Sequence, residues 1–268
     1  MKTYLPLMTW VEARDAARAG RVALVPVGTT DANGPQLPTG FDHLVAAALA
    51  EQAAERTGDV WLPPIAFGVS EALAGFPGTV SVSPQLLGAQ IEAVLGSLIA
   101  GGFEHVILIN NHGPNQYPAE YACREVRRRT GVLVATINPA QLARDLWADL
   151  FPGAEIGHGA EPGTSLLMHL HPDAVRTDLV RPRPKSDFQG LDVLSPTEVR
   201  FGASRVNLFL ELSEVSETAG WHNPESASAE RGAALFGRML DYTAEFAAHF
   251  RTMDTRAAAP APIADLAG

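Results

Sequence analysis

The sequence predicts an α/β fold built on a mainly parallel sheet with helices on both faces. Three observations carry this. Short β-branched runs alternate along the chain with Ala- and Leu-rich stretches of helical spacing, most of the runs are apolar without alternation, and polar Gly- and Pro-rich loops follow two of them. Parallel neighbours need a crossover, usually a helix, so strand–helix order implies parallel strands between helical layers.

The strands are residues 22–27, 60–65, 106–109 and 132–137, and the helices between them are residues 44–56, 84–100 and 117–129. Arg127, Arg128 and Arg129 read as the solvated end of the third helix, and Cys123 on the same amphipathic stretch as a small buried residue. Residues 181–196, rich in Pro and Lys/Arg and without periodicity, read as an extended surface segment suited to contact a neighbouring subunit. A helical Ala/Leu/Phe pattern returns at 228–249. With no internal repeat, the expectation is one domain over 1–252 and an Ala/Pro-rich tail over 253–268.

Composition narrows the function classes. In 268 residues, 46% apolar and 19% charged residues exclude a disordered or membrane-embedded chain. A net charge of −10 argues against nucleic acid or an anionic membrane surface as partner, because both reward basic patches. A single cysteine excludes an internal disulfide and a cysteine-based metal cluster. The opening residues carry no export-like stretch and no segment reaches the length of a bilayer span, so a cytoplasmic location is expected.

In parallel sheets of this kind the ligand sits at the carboxyl ends of the strands. The loop after Val27 runs through Asp31 and Asn33 to Asp42 and His43, and the loop after Ile109 is Asn110-Asn111-His112-Gly113-Pro114-Asn115. Turn chemistry accounts for their Gly, Pro and Asn content, but it does not require Asp31, Asp42 and His112 at strand ends. Two carboxylates and one imidazole converging from strand ends, with a position left for water, suit zinc or manganese.

These loops resemble those of the creatininase family, the creatinine amidohydrolase-like proteins. The family's Pro-Val-Gly start and Glu-x-His-Gly-Pro-His-Leu-Pro segment correspond to Pro26-Val27-Gly28 and Asp31-Ala32-Asn33-Gly34-Pro35-Gln36-Leu37-Pro38, followed by Asp42 in the same register. Its Phe-Pro-Gly-Thr element is Phe76-Pro77-Gly78-Thr79, preceded by Ser70-Glu71. Its Asn-Gly-His-Gly-Gly-Asn loop is similar to Asn110-Asn111-His112-Gly113-Pro114-Asn115, and its His-Ala-Gly-Glu-x-Glu-Thr-Ser element to His158-Gly159-Ala160-Glu161-Pro162-Gly163-Thr164-Ser165. Gly220-Trp221-His222-Asn223-Pro224, with Ala227, Glu230 and Gly232, resembles the closing motif.

The resemblance implies a three-layer sandwich, amidohydrolase activity, a homo-oligomer (hexamer or trimer) and a two-metal centre bridged by one Asp, here Asp42. Asp31, in place of the family's Glu, and His112 would complete the first ion's ligands; the second ion would need the family's His where this chain has Asn33. Gly163 replaces the late acid and Leu73 an imidazole. The expectation is therefore one divalent ion, zinc or manganese, or a metal-free site. His158 and Glu161 are the candidates for proton transfer, close enough in a Gly-rich loop to share one cavity. Ser70, Asn33 and Trp221 are the candidate contacts to a small-molecule substrate, Trp221 with His222 closing over it. His43 reads as structural; His105, His169, His171 and His249 receive no role.

The leading reading is a hydrolase opening a small cyclic amide or related carbonyl compound by metal-activated or His/Glu-activated water. The alternatives are a metal-independent lyase, isomerase or cyclase on the same fold, and a non-catalytic small-molecule binder.

Overall fold

In the computed structural model, which describes residues 1–151, 156–182 and 185–256, the apolar runs form the centre of a four-stranded parallel sheet. The order along the chain is α1 (Trp10–Arg18), β1 (Ala23–Val27), α2 (Phe41–Thr57), β2 (Val60–Trp61), α3 (Pro84–Ala100), β3 (Val106–Asn110), α4 (Gln116–Thr130) and β4 (Val134–Ile137). Then come α5 (Trp147–Leu150), α6 (Gly163–Leu170), a small antiparallel sheet of β5 (Asp192–Ser195), β6 (Glu198–Phe201) and β7 (Ser204–Asn207), and finally α7 (Ala229–Phe250).

The strands lie in the order β2-β1-β3-β4, with Val27 of β1 level with Asn110 of β3. The chain leaves β1 towards β2 on one side and later returns to β3 on the other. The carboxyl ends of β1 and β3 therefore flank the crevice where the winding reverses, the favoured ligand position in such sheets.

Both faces of the sheet are covered, which is why its strands show no polar alternation. Ala23, Val25 and Val27 pack with Val106 and Leu108 against α1, α3 and α4. Leu24, Ile107 and Ile109 pack on the opposite side with α2, α6 and α7. The α/β sandwich expected from the sequence is the fold of the protein.

Three local expectations need correction. The run at 60–65 pairs as a strand only over Val60–Trp61, because Pro63 and Pro64 lack ladder donors; Ile65 keeps a single bridge to Val27. The segment at 181–196 ends in β5, the first strand of the small sheet; residues 183–184 lie outside the described residues. No periodicity announced that sheet because β5 and β6 each bury one residue, Val193 and Val199, and β7 buries none. At the carboxyl end, Thr255 is buried, its hydroxyl donates to Glu104 O at 2.8 Å and its carbonyl accepts from Leu133 N at 2.8 Å. The packed body thus runs past 252, and the rest of the expected tail, 257–268, lies outside the described residues.

Elsewhere the readings agree with the packing. Arg128 and Arg129 at the end of α4 are exposed and pair with Glu125 and Glu92. Cys123 is half-buried rather than fully buried, and burial pushes its thiol up to about 11, which leaves no thiolate for nucleophilic chemistry at neutral pH. Among the described residues no helix is long and apolar enough to cross a membrane.

Candidate metal centre

The site is assembled by a close approach of α2 to the end of β1. A Cβ on Gly28 would lie 2.4 Å from the His43 amide nitrogen, so only glycine lets the first turn of α2 sit over the strand. That turn carries Asp42. Asn115 braces the floor from the β3 side: its amide accepts from Val69 N at 2.9 Å and donates to Gly28 O at 2.9 Å. Asn110, the last residue of β3, bonds both the amide and the carbonyl of His112, fixing the direction in which that ring leaves the strand.

Asp31, Asp42 and His112 then converge. His112 Nδ1 lies 2.8 Å from Asp42 Oδ2, and His112 Nε2 lies 3.7 Å from Asp31 Oδ2 and 2.8 Å from Val69 O. Asn111 Nδ2 donates to the other Asp42 oxygen at 3.2 Å. Ser70 Oγ donates to Asp31 Oδ2 at 2.7 Å and also lies 2.7 Å from Thr29 Oγ1. All three groups are buried.

Burial raises the Asp31 carboxyl to about 6, reinforced by the charge of Asp42 and opposed by His112 and the Ser70 hydrogen bond. For His112, burial by itself favours the neutral ring, but Asp42, through charge and hydrogen bond, together with Asp31 and Val69 O, outweighs burial and raises its pKa.

A cavity of about 750 Å³ opens above these groups. Asp42, His112, Ser70, Asn33 and His158 reach its wall, so four polar groups singled out in the sequence surround one space with His112. His158 Nε2 donates to Ala32 O at 2.9 Å, which fixes the tautomer and leaves Nδ1 as the lone-pair nitrogen. Burial lowers the pKa of His158 and keeps the ring neutral.

Glu161 and Trp221 do not reach that space. The fully buried Glu161 carboxylate accepts from Ser165 Oγ at 2.8 Å and Ser165 N at 3.3 Å, closing the first turn of α6. Burial raises its pKa, with the Ser165 bonds opposing. Its spacing from His158 is as expected, but its carboxylate is bonded to Ser165 at the start of α6 and does not line the cavity. Trp221, 4% exposed, packs in the small core beneath β5 and β6, with its indole nitrogen where a Cβ on Gly157 would meet it at 2.9 Å. Trp221 packs against the 157–161 loop and does not line the cavity. His43 likewise stays off the cavity wall.

Other contributors were not legible beforehand. Asn111 holds Asp42 from within a motif noticed only for its histidine. Phe41, Leu142, Leu235 and Met239 line the cavity, although helical periodicity assigns Leu235 and Met239 to the core.

The sequence profile of the family described as creatinine amidohydrolase matches residues 6–247. The chain belongs to the creatininase family. It is 28% identical over 204 residues to the creatinine amidohydrolase of Pseudomonas putida, covering 69% of this chain and 78% of the relative. It is 29% identical over 236 residues to the mycofactocin precursor peptide peptidase of Mycolicibacterium smegmatis, covering 84% and 83% of the two chains. The manganese form of creatininase superposes with a TM-score of 0.81 over 94% of this chain and 100% of that one, at 22% identity, which shows the shared fold. By membership the chain is an enzyme of hydrolase type.

Whether metal fits is decided by the donors present. Asp31, Asp42 and His112 each offer a ligand atom, all within 4.8 Å of one another, and among the described residues they are the only such group of three. Ligation at about 2.0–2.2 Å puts neighbouring donors about 3.3–3.6 Å apart, so donors this close need shift by only about an ångström to surround one divalent ion. A second ion finds no comparable donors. Asn33 Oδ1 is engaged by Gly159 N at 3.0 Å, Leu73 is buried in the small core, and at Gly163 a Cβ would meet the Phe41 ring at 3.1 Å. The space of the missing acid is taken by an aromatic side chain.

Proposed function

We propose that this creatininase-family member hydrolyses a carbonyl–nitrogen bond with a single divalent ion, zinc or manganese, held by Asp31, Asp42 and His112. The observation that carries the reading is the buried three-donor cluster of Asp31, Asp42 and His112, two of whose members, Asp42 and His112, line a cavity that also receives His158. A divalent ion bound there supplies Lewis acidity, polarising a carbonyl and acidifying water. Solved creatininases in manganese and zinc–zinc forms support this choice of metals.

The residues around the cluster divide the remaining work. Asp42 and Asn111 hold His112 and each other in place, and Ser70 with Thr29 steadies Asp31. His158, neutral and with Nδ1 free of the Ala32 bond, accepts the proton of the attacking water as its oxygen bonds to the carbonyl carbon. The same proton passes to the leaving nitrogen as the carbon–nitrogen bond breaks. Glu161 acts at one remove, by fixing the loop that carries His158.

The protein is further proposed to be a homo-oligomer, a trimer or hexamer, in the cytoplasm. Phe201 and Val206 on the small sheet are 68% and 46% exposed, a surface suited to contact a second copy.

The test is metal analysis of protein purified without chelator, paired with hydrolysis assays across amides and lactones. About one zinc or manganese per chain and metal-dependent turnover are expected. Metal-free protein that stays active, with activity surviving Asp42→Ala, would overturn the reading in favour of metal-independent acid–base chemistry.

A further inference from the structure

The cavity is far larger and more apolar than the chemistry at its polar wall requires. Asp42, His112 and His158 on that wall need only engage one carbonyl, one water and one leaving nitrogen. Yet about 750 Å³ lies open to them, within the roughly 300–1,000 Å³ range that encloses drug-sized ligands. Besides the polar groups, the cavity has an apolar side, called here its apolar arm, lined by Phe41 of α2, Leu142, Leu166 of α6, and Leu235 and Met239 of α7. These residues belong to, or pack on, the hydrophobic core under the sheet, so this side of the cavity is apolar.

Its charges are one-sided. The described wall contains the carboxylates of Asp42, Glu71 and Glu211, and no lysine or arginine. Glu211 is held there by accepting from the Glu214 amide. Away from the proposed ion at Asp42 and His112, a negatively charged group entering the cavity would lose hydration, meet the carboxylates of Glu71 and Glu211 and find no lysine or arginine among the described lining residues, which weakens its binding. A methylene entering the same arm gains about 0.8 kcal/mol, a factor of about four in affinity. Phe41 adds to the effect by closing the Gly163 position, where the family pattern would place an acid, with an apolar ring.

We infer that the substrate is an amide carrying an uncharged apolar group that lies in the arm between Phe41, Leu142 and α7, and that anionic amides are rejected. The inference rests on the hydrolytic reading for the word amide alone; the selectivity follows from the arm.

The test is therefore read by binding. Zinc-loaded protein is titrated calorimetrically with butanamide, octanamide and 8-sulfooctanamide, the sulfonate being a poor metal ligand that cannot mimic the amide end. Octanamide should bind at least tenfold tighter than butanamide, and at least tenfold tighter than the sulfonate. Leu142→Lys, at a partly exposed position, should reverse the second ratio while zinc content stays unchanged. Equal binding of the two uncharged amides, or sulfonate binding equal to octanamide in the parent, would overturn the inference. A protein that binds the series as stated but hydrolyses no amide would refute the hydrolytic reading alone, and one that hydrolyses short and long amides with equal kcat/KM would refute this inference alone.

Discussion

His112 Nδ1 and Asp42 Oδ2 lie 2.8 Å apart although 70 residues separate them in the chain. One comes from the loop after β3 and the other from the first turn of α2, and their meeting places both beside Asp31. The contact orients the imidazole, so each member of the pair depends on the other.

Replacing Asp42 or His112 with Ala should therefore remove bound metal and activity together. Loss of one of three ligands should lower metal affinity by more than the roughly 10–100-fold typical of losing an outer-shell partner. Metal per chain by mass spectrometry, measured beside kcat/KM, checks this; retained metal in both variants would exclude them as ligands.

Glu161→Gln should separate a structural role from a catalytic one. The amide can accept one of the two Ser165 hydrogen bonds and must present N–H to the other, a loss of about 1–2 kcal/mol. Thermal melting should fall while kcat stays within a few-fold of the parent. A general acid or base would instead lose roughly 10²–10⁴-fold in turnover at unchanged stability.

The pH dependence of metal-free protein follows from Asp31. Its carboxyl is raised from an ordinary 3.8 to about 6, so the folded state holds that proton more tightly than the unfolded chain. The stability gained from protonation is fully present below about 3.8 and is lost as pH rises through about 6. Asp31→Asn, which carries no charge, should then be more stable than the parent at pH 8, by on the order of 2 kcal/mol, and similar to it near pH 4. Melting of both chelator-treated proteins from pH 4 to 8 measures the difference, and a constant gap would contradict it. In the parent, zinc affinity should weaken as pH falls below about 6, because the ligand must be deprotonated.

Restoring the family's donors tests the one-ion reading. Asp31→Glu with Asn33→His supplies a longer carboxylate and a second imidazole, and metal per chain should rise above that of the parent. The same change removes the Asn33 acceptor from Gly159 N, so a lower melting temperature should accompany it.

Assembly is checked by sedimentation at micromolar concentration, where a trimer or hexamer is expected. A stable monomer would rule the oligomer out.

The sandwich and the cluster were readable from the chain alone, because both rest on local signals. Non-alternating runs such as residues 22–27 and 106–109 mark strands buried on two faces, and parallel topology directs the following loops to one end. Asp31, Asp42 and His112 could therefore be placed together before any distance was known. What the tertiary structure decided is which way the remaining side chains turn. His158 and Glu161 are three residues apart in one loop, yet one faces the cavity and the other caps α6 through Ser165. Trp221 went under the loop because the small sheet offers it an apolar bed, and strands burying a single residue leave no trace in periodicity. Leu235 and Met239 carry the helical spacing of core residues, and only packing shows that the core opens there, beside Phe41 and Leu142, into a cavity. A sequence records which residues are apolar, but whether they meet each other or leave room for a ligand depends on how their elements are set against one another.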